Sequence, residues 1–176
     1  TESAYFLSAN RGKRSITIDI RKQAGQAIIH QLIESCDALI ENFKVGSLEK
    51  YHLDYASLSA INPQLVYCSI TGFGQDGPYA KRAGYDFLLQ GMGGLMSITG
   101  EPDHLPGGGP QKVGVALTDI LTGMYATTAI QAAIIEREKS GLGQHIDLAL
   151  LDVQVACLAN QGMNYLVSQD TPQRMG

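Results

Sequence analysis

The sequence has no tryptophan, and its only three cysteines, Cys36, Cys68 and Cys157, are scattered over 176 residues. None forms a Cys-x-x-Cys pair and each lies in apolar surroundings, so they read as buried free thiols of a reducing compartment. A Walker loop, a His-Glu-x-x-His helix and a Gly-x-Ser-x-Gly elbow are also missing, which removes the common signatures of P-loop, zinc-hydrolase and serine-hydrolase chemistry. The four histidines, His30, His52, His104 and His145, lie far apart and are expected on the surface or in packing, with no metal. No run approaches 18 uninterrupted apolar residues and no signal-peptide pattern opens the chain, so no membrane partner and a cytoplasmic location are expected. Basic residues form no long run, and a net charge of −4 leaves no electrostatic footprint for nucleic acid. The chain opens on Thr1 rather than Met and is expected to be part of a longer protein.

What is present is ordinary globular material, 44% apolar and 17% charged, long enough to bury a core. Ser15–Ile20 alternates with period two and predicts a half-buried strand. Lys22–Cys36 predicts a helix with Ala27, Ile28, Leu32 and Ile33 on one face. Ala38–Ile40 and Leu65–Ile70 predict strands, with one or two short helices between Leu48 and Ile61. After a long loop, Tyr85–Ser97 predicts a helix. A short apolar strand is expected to end at Asp119, where a helix begins that carries Ile120, Met124, Ile130 and Ile134 and closes at Gly141. His145–Leu150 predicts another strand, and a last helix runs from about Asp152 to Val167. Strands alternating with helices predict an α/β, Rossmann-like fold with a largely parallel sheet and flanking helices.

Ligands of such sheets bind beyond the carboxyl ends of the strands. Asn42-Phe43-Lys44, Gly72-Phe73-Gly74 and Asp119 are all expected there. Asp119 has two readings. A carboxylate at a helix N-terminus is a preferred cap, and the same dipole would hold an ionised nucleophile in a fixed direction. Gly72-Phe-Gly-Gln-Asp-Gly77 fits Gly-x-Gly-x-x-Gly after a strand, but Pro78 follows and no helical period begins before Tyr85. The acidic residue about twenty positions on is also missing, so a dinucleotide site is not expected.

Together, several segments resemble the class III (CaiB/BaiF) CoA-transferases, in the family's order along essentially the whole chain. They are Tyr5–Ile16, Glu41-Asn-Phe43, Asn62-Pro63, Ser69–Pro78, Gly84-Tyr-Asp86, Thr99-Gly100, Asp119 and Gly141–Asp147. The resemblance implies that residues 1–176 are the central part of a CoA-binding large domain, with an N-terminal unit and a C-terminal portion lying outside this chain. It implies an interlocked homodimer, acyl-CoA and carboxylic acid substrates, and Asp119 as a nucleophile passing through a mixed anhydride and an aspartyl-CoA thioester. It places CoA against Ile18, Asp19, Ile20, Arg21, Asn42, Phe43, Lys44, Lys50, Arg82, Ala83, Gly84 and Tyr85. Taken alone, Asn42 reads equally as a turn residue, and Phe43 and Tyr85 as core packing. The family's racemase branch is the alternative, but it needs His where this chain has Tyr85, and a phenol is a poor proton carrier at neutral pH. A non-catalytic fragment is the third reading. Gly114–Asp119 and Gln154–Leu158 look most like the branch using succinyl-CoA and dicarboxylic acids such as glutarate.

Overall fold

A computed structural model describes residues 2–175; Thr1 and Gly176, the ends of the expected unit, lie outside the described residues. Helix α1 (Ala4–Ala9) precedes an irregular segment and α2 (Gln23–Ile33). Strand β1 (Ala38–Glu41) leads through a 3₁₀ turn at Glu49–Tyr51 and α3 (Tyr55–Ile61) into β2 (Val66–Thr71). A long loop then reaches α4 (Asp86–Met92), followed by a 3₁₀ turn at Met96–Ile98 and a second loop. Helix α5 (Leu117–Ser140) is followed by β3 (His145–Ala149), α6 (Leu150–Ala156) and α7 (Ala159–Ser168).

The sheet is parallel with order β1-β2-β3, pairing Ala38 with Val66 and Tyr67 with His145. The central strand β2 is buried along nearly its whole length, as a parallel strand between two neighbours and covering helices must be. On it, Tyr67 joins Ile33, Leu48, Leu53, Leu58 and Leu65 in a core in which Leu58 and Leu65 are fully enclosed. Each such leucine contributes about 2 kcal/mol of apolar burial. The Tyr67 hydroxyl donates to the Leu53 carbonyl at 2.9 Å, so the phenol does not leave a polar orphan in that core.

Helix α5 sets the geometry of the molecule. With 24 residues it is about 36 Å long. Near its C-terminus Arg137 donates to Asp37 Oδ1 at 2.8 Å and to the Gln64 carbonyl at 3.1 Å, just before β1 and β2 begin. The helix packs along β2 and β3 from there, so its N-terminus lies toward the carboxyl ends of the strands.

The expected elements need four corrections. Ser15–Ile20 forms no strand and ends in a turn; Ile16 is 67% exposed, and the alternation there has no sheet to serve. The buried stripe of α2 runs through Gly25 and Ile33, with Ile29 packed on the core, while Ile28 and Leu32 face outward. Gly25 causes this shift: a Cβ there would strike the Asp19 carbonyl, so only glycine lets the helix lie on that backbone. Third, the 85–97 helix stops at Met92 because Gly93 and Gly94 end it, and the final helix breaks at Cys157–Leu158. Fourth, Val113–Thr118 is no strand: α5 starts at Leu117, and it buries Thr118, Thr122, Ala126 and Ala133 while Ile120 and Met124 are exposed. Small residues on its inner face let it approach its neighbours closely.

Candidate functional site

Because α5 begins three residues earlier than the sequence implies, Asp119 sits inside its first turn and Ala116 takes the cap position. The capping role belongs to another element. Asp86, at the start of α4 and buried, accepts the Thr118 N–H at 2.8 Å and the Asp119 N–H at 3.4 Å on its Oδ1. Asp119 is thereby relieved of the duty that made it look like an ordinary cap, and its carboxyl group makes no hydrogen bond within the described residues. Burial raises its pKa above the ordinary carboxylate value, and the nearby Asp86 charge raises it further. The helix dipole, which favours the ionised form, is therefore opposed: a partly desolvated carboxyl beside a like charge resists ionisation.

Beneath Asp119 lies a buried polar network that sequence reasoning missed. Gln90 donates from Nε2 to Asp86 Oδ2 at 2.7 Å and accepts the Val113 N–H on Oε1 at 2.9 Å. Thr118 Oγ1 donates to Gln154 Oε1 at 2.6 Å, linking α5 to α6. The one legible clue was the spacing: Asp86 and Gln90 stand four apart on one helix, where side chains meet.

The expected CoA-contacting residues fall into two adjoining concavities at the strand ends. Asn42, Phe43, Lys44, Arg82, Ala83, Gly84 and Tyr85 line one of about 230 Å³, with Lys81 and Gly72 beside them. Ile18, Asp19, Ile20, Arg21, Phe43 and Lys50 line the other, of about 320 Å³, together with Ser47 and Tyr51. Phe43 is common to both. The packing reading of the aromatics does not hold, since Phe43 is 51% and Tyr85 72% exposed. Asn42 is a tether as well as a lining residue, its side-chain amide donating to the Ile70 carbonyl.

Backbone contact holds the first concavity together. Gly72, just past β2, and Gly84 lie so close that a Cβ on Gly72 would come within 2.6 Å of the Gly84 Cα. This brings the 79–84 loop down onto the strand end. Arg82 lies over the Tyr79 ring at 4.7 Å and Lys50 over Tyr51 at 4.8 Å, which leaves both cations exposed but held. Arg21 is more committed, with its guanidinium forked onto Asp19 at 2.8 and 3.1 Å. Asp119 lies in neither concavity; it joins the first through Asp86, the chain neighbour of Tyr85.

The glycine-rich loop after β2 is not a pyrophosphate cradle. The Gly74 N–H already donates to Thr71 Oγ1 and the Gln75 N–H to Asp147 Oδ2, both at 2.9 Å, and no helix follows until Asp86. His145 stacks on Tyr55 with ring centroids 5.0 Å apart and bonds Ser69, and His30 meets the His52 carbonyl, so these histidines serve packing. Among the described residues no three His, Cys, Asp or Glu cluster as metal ligands would, and no helix is long and apolar enough to cross a membrane.

A three-stranded parallel sheet with flanking helices, and with exposed aromatic and basic residues at its carboxyl edge, defines an α/β protein of the Rossmann-like class. The more particular assignment follows from comparison with known proteins. The description of CoA-transferase family III matches residues 1–176, and the chain belongs to that family. It is 59% identical over 174 residues to the succinate–glutarate CoA-transferase of Agrobacterium fabrum, covering 99% of this chain and 42% of that one. It is 46% identical over 176 residues to the succinyl-CoA:glutarate CoA-transferase of Homo sapiens, covering 100% and 39%. The crystal structure of a CaiB/BaiF family protein from Brucella suis superposes with a TM-score of 0.95 at 60% identity, over 99% of this chain and 45% of that one. The chain thus spans about two-fifths of the length of the curated relatives it matches.

Proposed function

We propose that the protein containing this chain transfers CoA from an acyl-CoA, with succinyl-CoA as donor, to a dicarboxylic acid of the glutarate type. The observation that carries the reading is the state of Asp119, a carboxylate on the first turn of a long helix whose capping duty is taken by Asp86. The names of the relatives at 59% and 46% identity support the choice of donor and acceptor.

In the proposed reaction an Asp119 carboxylate oxygen attacks the thioester carbonyl. The C–S bond breaks, leaving a mixed anhydride on Asp119 and CoA thiolate. The thiolate attacks the aspartyl carbonyl, expelling the first acid as its carboxylate and forming an aspartyl-CoA thioester. The second acid's carboxylate attacks that thioester, again releasing thiolate, which takes the acyl group from the new anhydride and regenerates Asp119. Every bond to sulfur is exchanged for another, so the cycle balances without ATP. A carboxylate whose pKa has been raised is the more basic, and hence stronger, nucleophile once ionised.

The two concavities would hold CoA, with Lys50, Arg82 and Lys44 as the cations for its phosphates and Phe43 and Tyr85 as exposed apolar surfaces. Lys50 gives charge without the two-pronged geometry of an arginine. The 1–176 segment would be the central part of the large domain of a cytoplasmic, interlocked homodimer. The reaction itself is tested by initial rates on the full-length protein with succinyl-CoA and glutarate. Glutaryl-CoA formed with parallel double-reciprocal lines is expected; only hydrolysis of succinyl-CoA to free CoA and succinate, or exchange of the α-proton of a branched acyl-CoA, would contradict it.

A further inference from the structure

We propose that Gln90 is a positioning residue for Asp119, holding Asp86 in the one orientation that turns its second oxygen onto the Thr118 and Asp119 N–H groups. The inference rests on the reading of Asp119 as the nucleophile. Gln90 is fully buried in α4 and lines neither concavity, so it has no direct part in binding CoA. A buried amide is unfavourable unless both of its ends are satisfied. Here both are, and by different kinds of partner: Nε2 donates to a carboxylate at 2.7 Å and Oε1 accepts a backbone N–H at 2.9 Å. Only an amide can do both at once. A carboxylate would face Asp86, and an apolar side chain would leave Asp86 Oδ2 and the Val113 N–H without partners.

These two bonds, with a longer one from Nε2 to the Val115 carbonyl at 3.4 Å, act on the two things that aim Asp119. One fixes the Asp86 carboxylate, whose other oxygen receives the Thr118 and Asp119 N–H groups. The other fixes Val113, in the segment that enters α5. From α6, Gln154 holds the Thr118 hydroxyl in the same layer. The start of α5 is therefore gripped from two helices by polar groups, which specify one arrangement where apolar packing would tolerate several. Asp86 is also the charged group that acts on Asp119.

The test uses the full-length protein with Gln90→Met, Gln90→Glu, Asp86→Asn and the double exchange Asp86→Asn/Gln90→Glu. The double exchange rebuilds the chain with the bond between positions 86 and 90 reversed, the new amide donating to the new carboxylate, and the charge moved one helical turn along α4. Each single change is expected to lower kcat for transfer by about 10- to 100-fold, with KM for succinyl-CoA within about twofold. The double exchange is expected to recover most of the loss and to move the acid limb of the pH–rate profile to lower pH, because the like charge has left Asp119. A double exchange no better than the sum of its singles, or Gln90→Met with unchanged kcat and pH profile, overturns the proposal. Gln90→Met conserves volume, so it reports even if the exchanged pair does not fold; a fall in thermal midpoint with kcat per folded site unchanged would mean a structural role only and also overturns it. Failure of the parent reading is separately visible, since wild-type protein would then transfer CoA without modification of Asp119.

Discussion

In the proposed reaction Asp119 is the nucleophile, and its energetics give a prediction that does not need substrate. Its pKa in the folded protein lies above the ordinary value of 3.8. The folded state therefore binds the proton more tightly than the unfolded chain does. The stabilising contribution is complete below about pH 3.8 and is lost as pH rises through the folded pKa. At neutral pH the ionised group is a liability, so Asp119→Asn is expected to raise the thermal midpoint of the full-length protein at pH 7. The gain should vanish on acidification toward the unfolded pKa. A midpoint lowered at pH 7 would contradict this reading of Asp119. A second prediction at this level concerns Arg82, exposed over Tyr79 at the first concavity. Arg82→Ala should weaken CoA binding by about tenfold, as loss of a charged hydrogen bond does, with kcat little changed; calorimetry with CoA measures it.

Among elements, the loop from Gly72 to Gly84 and the start of α5 determine whether the strand ends form a site. Gly84 meets Gly72 backbone to backbone, with no flexible side chain able to yield. Gly84→Ala is expected to destabilise by about 1–3 kcal/mol, the usual cost of overpacking, and to weaken CoA binding because Arg82 and Tyr85 move with the loop. Unchanged binding by calorimetry would show that the loop does not shape the concavity. Much of this architecture was legible in the sequence. β1 and β2 are short apolar or β-branched runs followed by turn residues, and β3 alternates with period two after Gly141-Leu-Gly143. The Ser15–Ile20 segment shows the limit of that reading, because alternation marks a strand only when a neighbour is present to pair with it. The α5 boundary was misread for a related reason. Asp119 has the local look of a cap, but the cap is Asp86, 33 residues earlier, and single-residue preferences carry no record of a partner that distant. The Gln90–Asp86 pair was visible as a spacing, whereas the buried link from Thr118 to Gln154 depends on how three helices meet.

For the whole molecule, the residues expected against CoA came from family resemblance, and the fold brings them to one region: residues 18–21, 42–44, 50 and 82–85 are separated in sequence but line two adjoining concavities. The outer surface gives a further expectation. Tyr5, Phe6, Ile120, Met124, Tyr125, Leu166 and Val167 are exposed on α1, α5 and α7, more large apolar surface than a monomer of this size usually leaves open. Residues 1–176 expressed alone are expected to associate with rising concentration in light scattering, while the full-length protein runs as a discrete species. A monodisperse 1–176 chain would show that those faces need no cover.

In the proposed reaction Asp119 carries the transferred group. Full-length protein mixed with succinyl-CoA, quenched and digested for mass spectrometry, with hydroxylamine trapping alongside and Asp119→Ala as control, tests it directly. An adduct on the peptide containing Asp119, converted by hydroxylamine to a hydroxamate and missing from the control, is the predicted result. Transfer without any adduct on that peptide, or an adduct that survives in Asp119→Ala, would contradict the account and return Asp119 to a structural role in the first turn of α5.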